Sequence, residues 1–307
     1  MGKVGVVGSF VVDLMARTPR LPIPGETVKG SFFKMGPGGK GFNQAIAAAR
    51  AGAQVLFSTK LGRDDFAHIA TDLLEKEPNI DGAWVFVTEK ASTGIALISV
   101  EEATSQNEIV VVPGACDTYT DENTASLEGL LSQVEHLLLQ LELNQEAVEK
   151  IIRIAADKGI KVILNPAPAA HLSPALYPLL FAVTPNETEA TFLSGLPCDT
   201  DEDYRSVASW FHGKGVENVI ITIGKRGVFF SDGTEQRVIP NYDVKVVDTT
   251  GAGDAFSGGL LAALGNGASL RDACVFGNVV ANLSVTKRGT SVAMPREQEI
   301  QTFMNQR

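Results

Sequence analysis

Apolar and polar positions along the chain fall into blocks that predict strands and helices in turn. Short apolar runs, typical of buried strands, occupy residues 3–7, 55–61, 136–141, 161–164, 181–184 and 219–223. Helical spacing of apolar residues marks residues 45–51, 66–76, 145–158, 270–285 and 296–304, and helices are also expected between the later strands. Near-continuous apolar strands that alternate with helices indicate an α/β fold whose parallel sheet is covered on both faces.

One part of the first half does not fit this alternation. Residues 26–33 have the composition of an extended segment, and residues 93–100 and 108–112 predict a β-hairpin with a polar tip at 101–107. These segments are expected to form a small separate sheet. The sequence contains no repeat, low-complexity tract or flexible linker.

Composition limits the classes of protein. The 307 residues, of which 44% are hydrophobic and 20% charged, suit one large α/β domain, although two domains would also fit this length. A net charge of −10 argues against a nucleic-acid partner or an anionic membrane partner. No apolar run approaches the roughly 20 residues of a membrane helix, and residues 1–4 lead directly into a strand, so a cytoplasmic protein is expected. Cys116, Cys198 and Cys274 are expected to be free, partly buried thiols.

A glycine-rich turn at residues 248–254 (DTTGAGD) opens a helix of small and apolar residues. Backbone N–H groups at such a helix start favour an anion, and Gly251 and Gly253 allow close approach of a ligand. A carboxylate at Asp254 suits removal of a proton from a hydroxyl that attacks phosphate. The turn therefore suggests phosphoryl transfer to an alcohol. In the alternative reading, which this stretch alone supports equally, the glycines permit tight packing and Asp254 stabilises the helix dipole.

A second glycine-rich turn, residues 36–44 (GPGGKGFNQ), precedes the alanine-rich helix. It matches G-x-G-x-x-G formally, but it does not lie in the first strand–turn–helix unit, and it lacks the Lys-Ser/Thr pair of a P-loop. Lys40 and Asn43 offer hydrogen-bond donors to a polyhydroxylated ligand. A plain helix N-terminus is the competing explanation.

Polar residues follow the predicted strands. The carboxyl ends of parallel strands line the ligand crevice of such sheets, so these residues are expected to converge there. Taken singly, each is explained as well by a turn or a helix cap. The set comprises Asp13, Glu142, Asn165, Asn186, Glu189, Thr222, Gly224 and Asp254.

Four motifs in order resemble the ribokinase family of carbohydrate kinases over essentially the whole chain: residues 38–45 (GGKGFNQA), 139–142 (LQLE), 184–189 (TPNETE) and 248–254. The resemblance implies a single domain, 1–307, with an α/β/α sandwich, a mostly parallel central sheet and a β-sheet lid drawn from about residues 10–35 and 93–113. It implies transfer of the γ-phosphate of ATP to the primary 5-hydroxyl of a pentofuranose. Exposed lid strands are expected to pair two copies into a homodimer.

The resemblance also implies roles for individual residues. Asp254 is the expected catalytic base, and Gly251, Ala252 and Gly253 form the expected anion hole. The sugar is expected to contact Val11, Asp13, Gly39, Lys40, Gly41, Asn43, Glu142 and Asp254. ATP is expected to contact Asn186, Glu189, Thr222, Gly224, Gly227, Gly253 and Asn278. Asn186 and Glu189 are expected to organise Mg²⁺, largely through water. K⁺ is expected at Asp248, Thr250, Ser284, Lys287, Gly289 and Ala293, where Ala293 replaces a common serine.

The first strand end departs from the family pattern. Where ribokinases typically read Gly-Ser-x-Asn-x-Asp, this chain has Val11 in place of the asparagine, and Phe42 replaces a usual alanine. Because Val11 cannot pair with a sugar hydroxyl, the substrate is expected to be ribose or a close relative such as 2-deoxyribose. A water in place of the missing donor is the competing explanation. A nucleoside or hexose-phosphate kinase and a non-catalytic sugar-binding regulator are alternatives, and the intact acidic turn argues against the regulator.

Overall fold

A computed structural model of the chain describes residues 2–104 and 106–306. Residues 1, 105 and 307 belong to the predicted domain and lie outside the described residues. The strands are β1 (Lys3–Val7), β2 (Val11–Thr18), β3 (Phe32–Gly38), β4 (Gln54–Gly62), β5 (Ile80–Thr88), β6 (Gly94–Glu101), β7 (Asn107–Val112), β8 (His136–Leu139), β9 (Lys161–Leu164), β10 (Leu180–Val183), β11 (Asn218–Thr222), β12 (Val228–Ser231) and β13 (Gln236–Ile239). The helices are α1 (Lys40–Arg50), α2 (Ala67–Leu74), α3 (Asp121–Ser126), α4 (Glu128–Leu131), α5 (Gln145–Asp157), α6 (Glu187–Ser194), α7 (Asp201–Gly213), α8 (Ala252–Gly265), α9 (Leu270–Ser284) and α10 (Glu297–Asn305).

A large sheet in the order β13-β12-β11-β10-β9-β8-β1-β4-β5 forms the centre of the molecule. Its strands pair in parallel from β11 through β5, whereas β12 and β13 pair antiparallel at one edge. Successive residues of a strand face opposite sides, so Leu138 enters the core beneath α1, α8 and α9, and Leu137 and Leu139 enter the core beneath α5 and α7. The predicted α/β class with a mostly parallel sheet is confirmed.

A small sheet in the order β3-β2-β6-β7 stands beside the large one. Strands β2 and β6 pair in parallel, and β3 and β7 pair antiparallel on either side of them. The three residues between β1 and β2 join the two sheets, and Gly8 N, the first of them, donates to Ser58 O at the end of the large sheet. This junction places the inner face of the small sheet over the carboxyl ends of the large sheet's strands.

Several predicted elements are wrong in their bounds. Residues 26–31 form no strand, and the extended segments on either side are β2 and β3, so Asp13 lies within a strand rather than after one. Strands β5, β12 and β13 were not predicted. The connection between β9 and β10 contains a one-turn 3₁₀ helix, Tyr177–Leu179, instead of the expected helix. Its proline-rich sequence cannot supply the backbone donors of a longer helix.

The three cysteines are free and fully buried, which confirms free thiols and makes them more buried than expected. In the described ranges, no helix is both long and apolar enough to cross a bilayer.

Candidate active site

Helices α1 and α8 approach each other closely, and this contact creates the centre of the site. A side chain at Gly258 would begin 2.6 Å from the backbone oxygen of Gln44 and 2.5 Å from Cβ of Ala47. The glycine therefore lets the backbones of the two helices nearly touch. Since Asp254 lies one turn before Gly258, its carboxylate meets the first turns of α1.

Two amides of α1 hold the carboxylate of Asp254. Nδ2 of Asn43 donates to Oδ2 at 3.0 Å, and Nε2 of Gln44 donates to Oδ1 at 2.9 Å. Burial raises the pKa of Asp254, whereas Lys40 and the two amides oppose this rise. Oδ1 of Asn43 is buried and has no partner within the described residues, so it can accept a hydrogen bond from a ligand hydroxyl.

The turn before Asp254 presents unpaired backbone donors. Gly251 has a left-handed backbone (φ 76°) and caps α8, and Ala252 N donates to Thr249 O at 3.2 Å. Within the described residues, the amides of Gly251 and Gly253 have no acceptor. Apart from its chain neighbours and the adjoining backbone of α8, no described atom lies within 4 Å of the position that a side chain at Gly253 would take. Packing therefore does not require this glycine, and the open space beside free N–H groups suits an anion.

Lys40 and Glu142 form the wall next to Asp254. Oε2 of Glu142 accepts hydrogen bonds from Lys40 N at 2.8 Å and from the hydroxyl of Ser9. Burial raises the pKa of Glu142, against the effect of Lys40. Burial lowers the pKa of Lys40, but Asp254, Glu142 and Glu189 outweigh it, so the pKa is raised. The ammonium is therefore a fixed positive charge among three carboxylates.

Glycines bring the start of α1 against the end of β1. Gly39 has φ 89°, and a side chain there would meet the backbone of residues 9–11 at 2.9 Å. A side chain at Gly41 would meet the backbone of Gly8 at 2.5 Å. The two positions predicted to bind sugar therefore have a packing role that the structure shows directly.

Asp13 and Val11 contribute the inner face of β2. Burial, with the charges of Glu142 and Asp254, raises the pKa of Asp13 to about 6, and Lys34 lowers it. Val11 is 5% exposed and packs against Gly94. Because Val11 and Asp13 are two residues apart on one strand, their side chains share a face. Beyond them a cleft of about 690 Å³, lined in part by Asp13, separates the small sheet from residues 246–250 and 288–292.

Residues predicted to bind nucleotide gather at the ends of β10 and β11. Asn186 and Glu189 form a reciprocal cap of α6, in which Oδ1 of Asn186 accepts from Glu189 N at 2.8 Å and Oε2 of Glu189 accepts from Asn186 N at 2.9 Å. Burial raises the pKa of Glu189. Asn186 also pairs with Thr222 in a parallel bridge, and a turn with Gly224 and Gly227 follows. Among the described residues, the other carboxylate oxygen of Glu189 has no hydrogen-bond partner, so it is available for a hydrated cation.

Asn278 is arranged differently from the other predicted nucleotide residues. Its Nδ2 donates to Pro240 O at 2.8 Å, and its Oδ1 accepts from Asn282 at 3.1 Å. Asn282 in turn donates to Oδ1 of Asn241, whose Nδ2 donates to Gly224 O at 3.0 Å. Asn278 is 2% exposed, and through these hydrogen bonds it positions the loop at residues 240–241 and the Gly224 turn.

The predicted cation residues come from the turn before α8 and from the end of α9 with the segment after it, and Asp248 ties the two together. Its Oδ1 accepts from Thr250 N and Oγ1, and its Oδ2 accepts from Gly289 N at 3.0 Å. The side chains of Ser284 and Lys287 bond elsewhere, to Ala281 O and Glu299, and Ala293 has none that coordinates. Backbone oxygens and one carboxylate suit a monovalent hard cation. In the described part of the chain, no three His, Cys, Asp or Glu residues cluster as metal ligands.

The sequence reading missed two buried amides behind Asp254, Gln44 and Gln140, as functional candidates. They form a connected group with Asn165, which was expected at the ligand crevice, and Ser9 binds Glu142. Gln44 stands beside Asn43 in the second glycine-rich turn, and that adjacency was the available signal. The distance along the chain hid the contact, since Gln44 and Asp254 are 210 positions apart.

Comparison with known proteins places this geometry in a family. The profile described as "pfkB family carbohydrate kinase" matches residues 1–297. The ribokinase of Haemophilus influenzae is 39% identical over 299 residues, covering 97% of each chain. The deoxyribokinase of Salmonella typhi is 35% identical over 304 residues, covering 98% of each chain. The solved structure of Arabidopsis thaliana ribokinase complexed with ribose and ATP has a TM-score of 0.91 and 26% identity, covering 99% of this chain and 98% of the other.

Proposed function

This chain belongs to the pfkB family of carbohydrate kinases, and we propose that it transfers the γ-phosphate of ATP to the primary 5-hydroxyl of ribose. Its activity is that of an ATP-dependent sugar kinase. The observation that carries the choice of chemistry is the pairing of Asp254 with open backbone donors at the start of α8. A pure sugar binder would have no use for a buried base beside an anion site.

Asp254 takes the proton from the attacking hydroxyl. Because Asn43 and Gln44 donate to both of its oxygens, the carboxylate is already fixed when sugar arrives. The N–H groups of Gly251 and Gly253 stabilise negative charge on the transferring phosphoryl group, and Ala252 holds the turn through Thr249. Lys40 adds a positive charge on the same side.

The sugar occupies the space between β2 and the start of α1. Asp13, Glu142 and the free Oδ1 of Asn43 accept hydrogen bonds from the hydroxyls of the sugar. Gly39 and Gly41 have no side chains, so the backbone at the start of α1 can lie close to the sugar. The small sheet acts as a lid that excludes water, which limits hydrolysis of ATP without sugar.

ATP lies along the ends of β10 and β11, against Asn186, Thr222 and the turn with Gly224 and Gly227. Glu189 has one free carboxylate oxygen and would hold Mg²⁺ through water, with Asn186 maintaining the cap. When bound, Mg²⁺ would neutralise part of the negative charge of the phosphates. Asn278 supports this wall through the loop at residues 240–241.

A potassium site beside the anion turn fits the residues present. Asp248 fixes Thr250 and Gly289, and backbone oxygens of Thr250, Ser284, Lys287, Gly289 and Ala293 would complete a set of hard ligands. The cation supplies positive charge that strengthens the field at the neighbouring N–H groups.

Val11 supports 2-deoxyribose as a second candidate substrate. Its apolar side chain lies on the face of β2 that carries Asp13, where a sugar hydroxyl without a partner would lose about 1–3 kcal/mol. A deoxyribokinase is also among the relatives with full coverage. A sugar that lacks this hydroxyl avoids the loss.

The outer face of the small sheet supports a homodimer. Met35, Leu97 and Val110 occupy one row across three strands and are 47%, 46% and 59% exposed, and Phe33 beside them is 64% exposed. An apolar sheet face of this kind is stabilised when a second copy covers it. A cytoplasmic setting would supply ATP and keep the three buried thiols reduced.

The proposal is tested by ADP release with ATP, Mg²⁺ and K⁺ across pentoses, deoxypentoses, hexoses, hexose phosphates and nucleosides. Ribose or 2-deoxyribose should give the highest kcat/KM, with phosphate at the 5-position by NMR. Faster turnover of a nucleoside or a hexose phosphate would contradict it.

A further inference from the structure

A chain of buried amides extends from Asp254 across the sheet. Gln44 is 0% exposed, and its Nε2 donates both to Oδ1 of Asp254 at 2.9 Å and to Oδ1 of Asn165 at 3.0 Å. Its Oε1 accepts from Nε2 of Gln140 at 2.6 Å. Nδ2 of Asn165 donates to the backbone oxygen of Thr184 at 2.9 Å. The group therefore links α1 and α8 to the ends of β8, β9 and β10.

The backbone carbonyl of Thr184 sets the direction of every hydrogen bond among these side-chain amides. A carbonyl oxygen can only accept, so Asn165 must turn its NH₂ group toward Thr184 and its oxygen toward Gln44. Gln44 must then present its NH₂ group, and both of its hydrogens are used by Asn165 and Asp254. Gln140 completes the arrangement by donating to the remaining oxygen of Gln44.

Gln140 is itself held in place by packing. Its Oε1 lies 1.9 Å from the position that a side chain at Gly8 would take, so Gly8 leaves just the room that this amide needs. Gln140 is 1% exposed and Asn165 is 7% exposed. The amide of Gln44 is therefore buried among partners that fix its orientation.

The directions of these hydrogen bonds favour the ionised form of Asp254. Asn43 also donates to Asp254, so both carboxylate oxygens face N–H groups and a proton on either would displace a hydrogen bond. Lys40 acts in the same direction. Burial acts in the opposite direction and raises the pKa of Asp254, and the charge of Asp254 in turn raises the pKa values of Asp13, Glu142 and Glu189. The neutral amides thus oppose the effect of burial on the base.

We propose that Gln44, oriented by Gln140 and Asn165, is a positioning residue that keeps Asp254 ionised and aimed at the acceptor hydroxyl. The assignment rests on the proposed function, in which Asp254 is the base. Gln44 touches neither the sugar nor the phosphate, and acts through Asp254. Its partners extend this control to the strand end that precedes the nucleotide turn at Asn186.

The test replaces Gln44 by methionine, which keeps the length of the side chain and removes its amide. In Gln44→Met, kcat should fall by about 10- to 100-fold, the loss expected for one hydrogen bond to a charged group. KM for sugar should stay within about threefold, because the sugar contacts remain. The acidic limb of the kcat profile should move up by about one pH unit. Gln54→Met is the matched control, since Gln54 lies on β4 away from the site and its amide donates to Asn79.

A second variant and a second readout keep the result interpretable. Gln140→Met, one step removed from Asp254, should move the acidic limb in the same direction by a smaller amount. Infrared titration of the ligand-free protein, with Asp254→Asn to assign the carboxylic acid band, reports the ionisation of Asp254 without any reaction. A midpoint unchanged in folded Gln44→Met overturns the inference. If the wild type phosphorylates no sugar, the proposed function fails, and the infrared midpoint still decides the role of Gln44.

Discussion

The backbone amide of Lys40 lies 2.8 Å from Oε2 of Glu142, so the first residue of α1 is tied to the residues that follow β8. The pKa of the same Lys40 is raised, because the charges of Asp254, Glu142 and Glu189 outweigh the effect of burial. One residue thus connects the wall expected to bind sugar with the base and with the cap of α6. Substitutions in this region should separate sugar binding from phosphoryl transfer.

Replacement of Asp254 by asparagine should remove the base, while the proposed sugar contacts of Asp13, Asn43 and Glu142 remain. We expect kcat to fall by at least 10²- to 10⁴-fold, the usual contribution of a positioned general base. Sugar affinity by calorimetry should change much less than turnover. Asp72→Asn, at an exposed position of α2, serves as the control. Full activity in Asp254→Asn would refute the role of the base.

Val11→Thr adds a hydroxyl with almost no change in shape. The new group can pair with a sugar hydroxyl that valine leaves without a partner, so the ratio of kcat/KM for ribose to that for 2-deoxyribose should rise about tenfold. Both sugars are measured with wild type and variant under one set of conditions. An unchanged ratio would mean that a water already serves this hydroxyl.

Asp13 should make sugar binding depend on pH. Its pKa is about 6, so the carboxylate loses acceptor capacity as pH falls through this value, and the Kd for sugar should rise. Asp13→Asn should bind sugar weakly and without this step. Calorimetric titrations between pH 5 and pH 8, a range of about three units around the perturbed group, measure it.

Asp13 should also make the stability of the ligand-free protein depend on pH, and here low pH is favourable, whereas sugar binding is favoured at high pH. The folded pKa of Asp13, about 6, lies above the ordinary value of 3.8, so the folded state binds this proton more tightly than the unfolded state. Its contribution to stability is complete below the unfolded pKa and is lost as pH rises through the folded pKa. The Tm of ligand-free Asp13→Asn, relative to wild type, should therefore increase from low to neutral pH. A constant difference would contradict the raised pKa.

Asp248→Ala should uncouple the enzyme from potassium. The wild type should be several-fold faster in KCl than in choline chloride of equal ionic strength, since backbone oxygens near Asp248 suit a monovalent cation. Without the carboxylate, Thr250 and Gly289 lose their common acceptor and the difference between the salts should disappear. Equal rates of the wild type in both salts would remove the potassium site.

Leu97→Lys should weaken the homodimer by placing a charge on the outer face of the small sheet. Sedimentation velocity at several concentrations should show a shift toward monomer. Val87→Lys is the matched control, because Val87 is similarly exposed, at 52%, on the edge strand β5 of the large sheet. A monomeric wild type would contradict the proposed assembly.

The sequence by itself determined the fold class and the two glycine-rich helix starts. Apolar runs report burial of a local segment, and glycine-rich turns before small-residue helices report close backbone approach, so both signals are read within a few positions. The family motifs added the enzyme class. The same local signals failed around β2 and β3, where the extended segment was predicted at residues 26–33 but residues 26–31 form no strand.

Tertiary structure alone decided which side chains meet. Asp13 lies in the small sheet because β2 pairs with both β3 and β6, and no local pattern specifies that pairing. Asn278 supports a loop because Pro240 and Asn282 use its amide. Gln44 reaches Asp254 because Gly258 lets α1 and α8 touch, across 210 positions of chain. Periodicity records whether a residue is buried, whereas its partner is chosen by the packing of whole elements, and that packing exists only in the folded molecule.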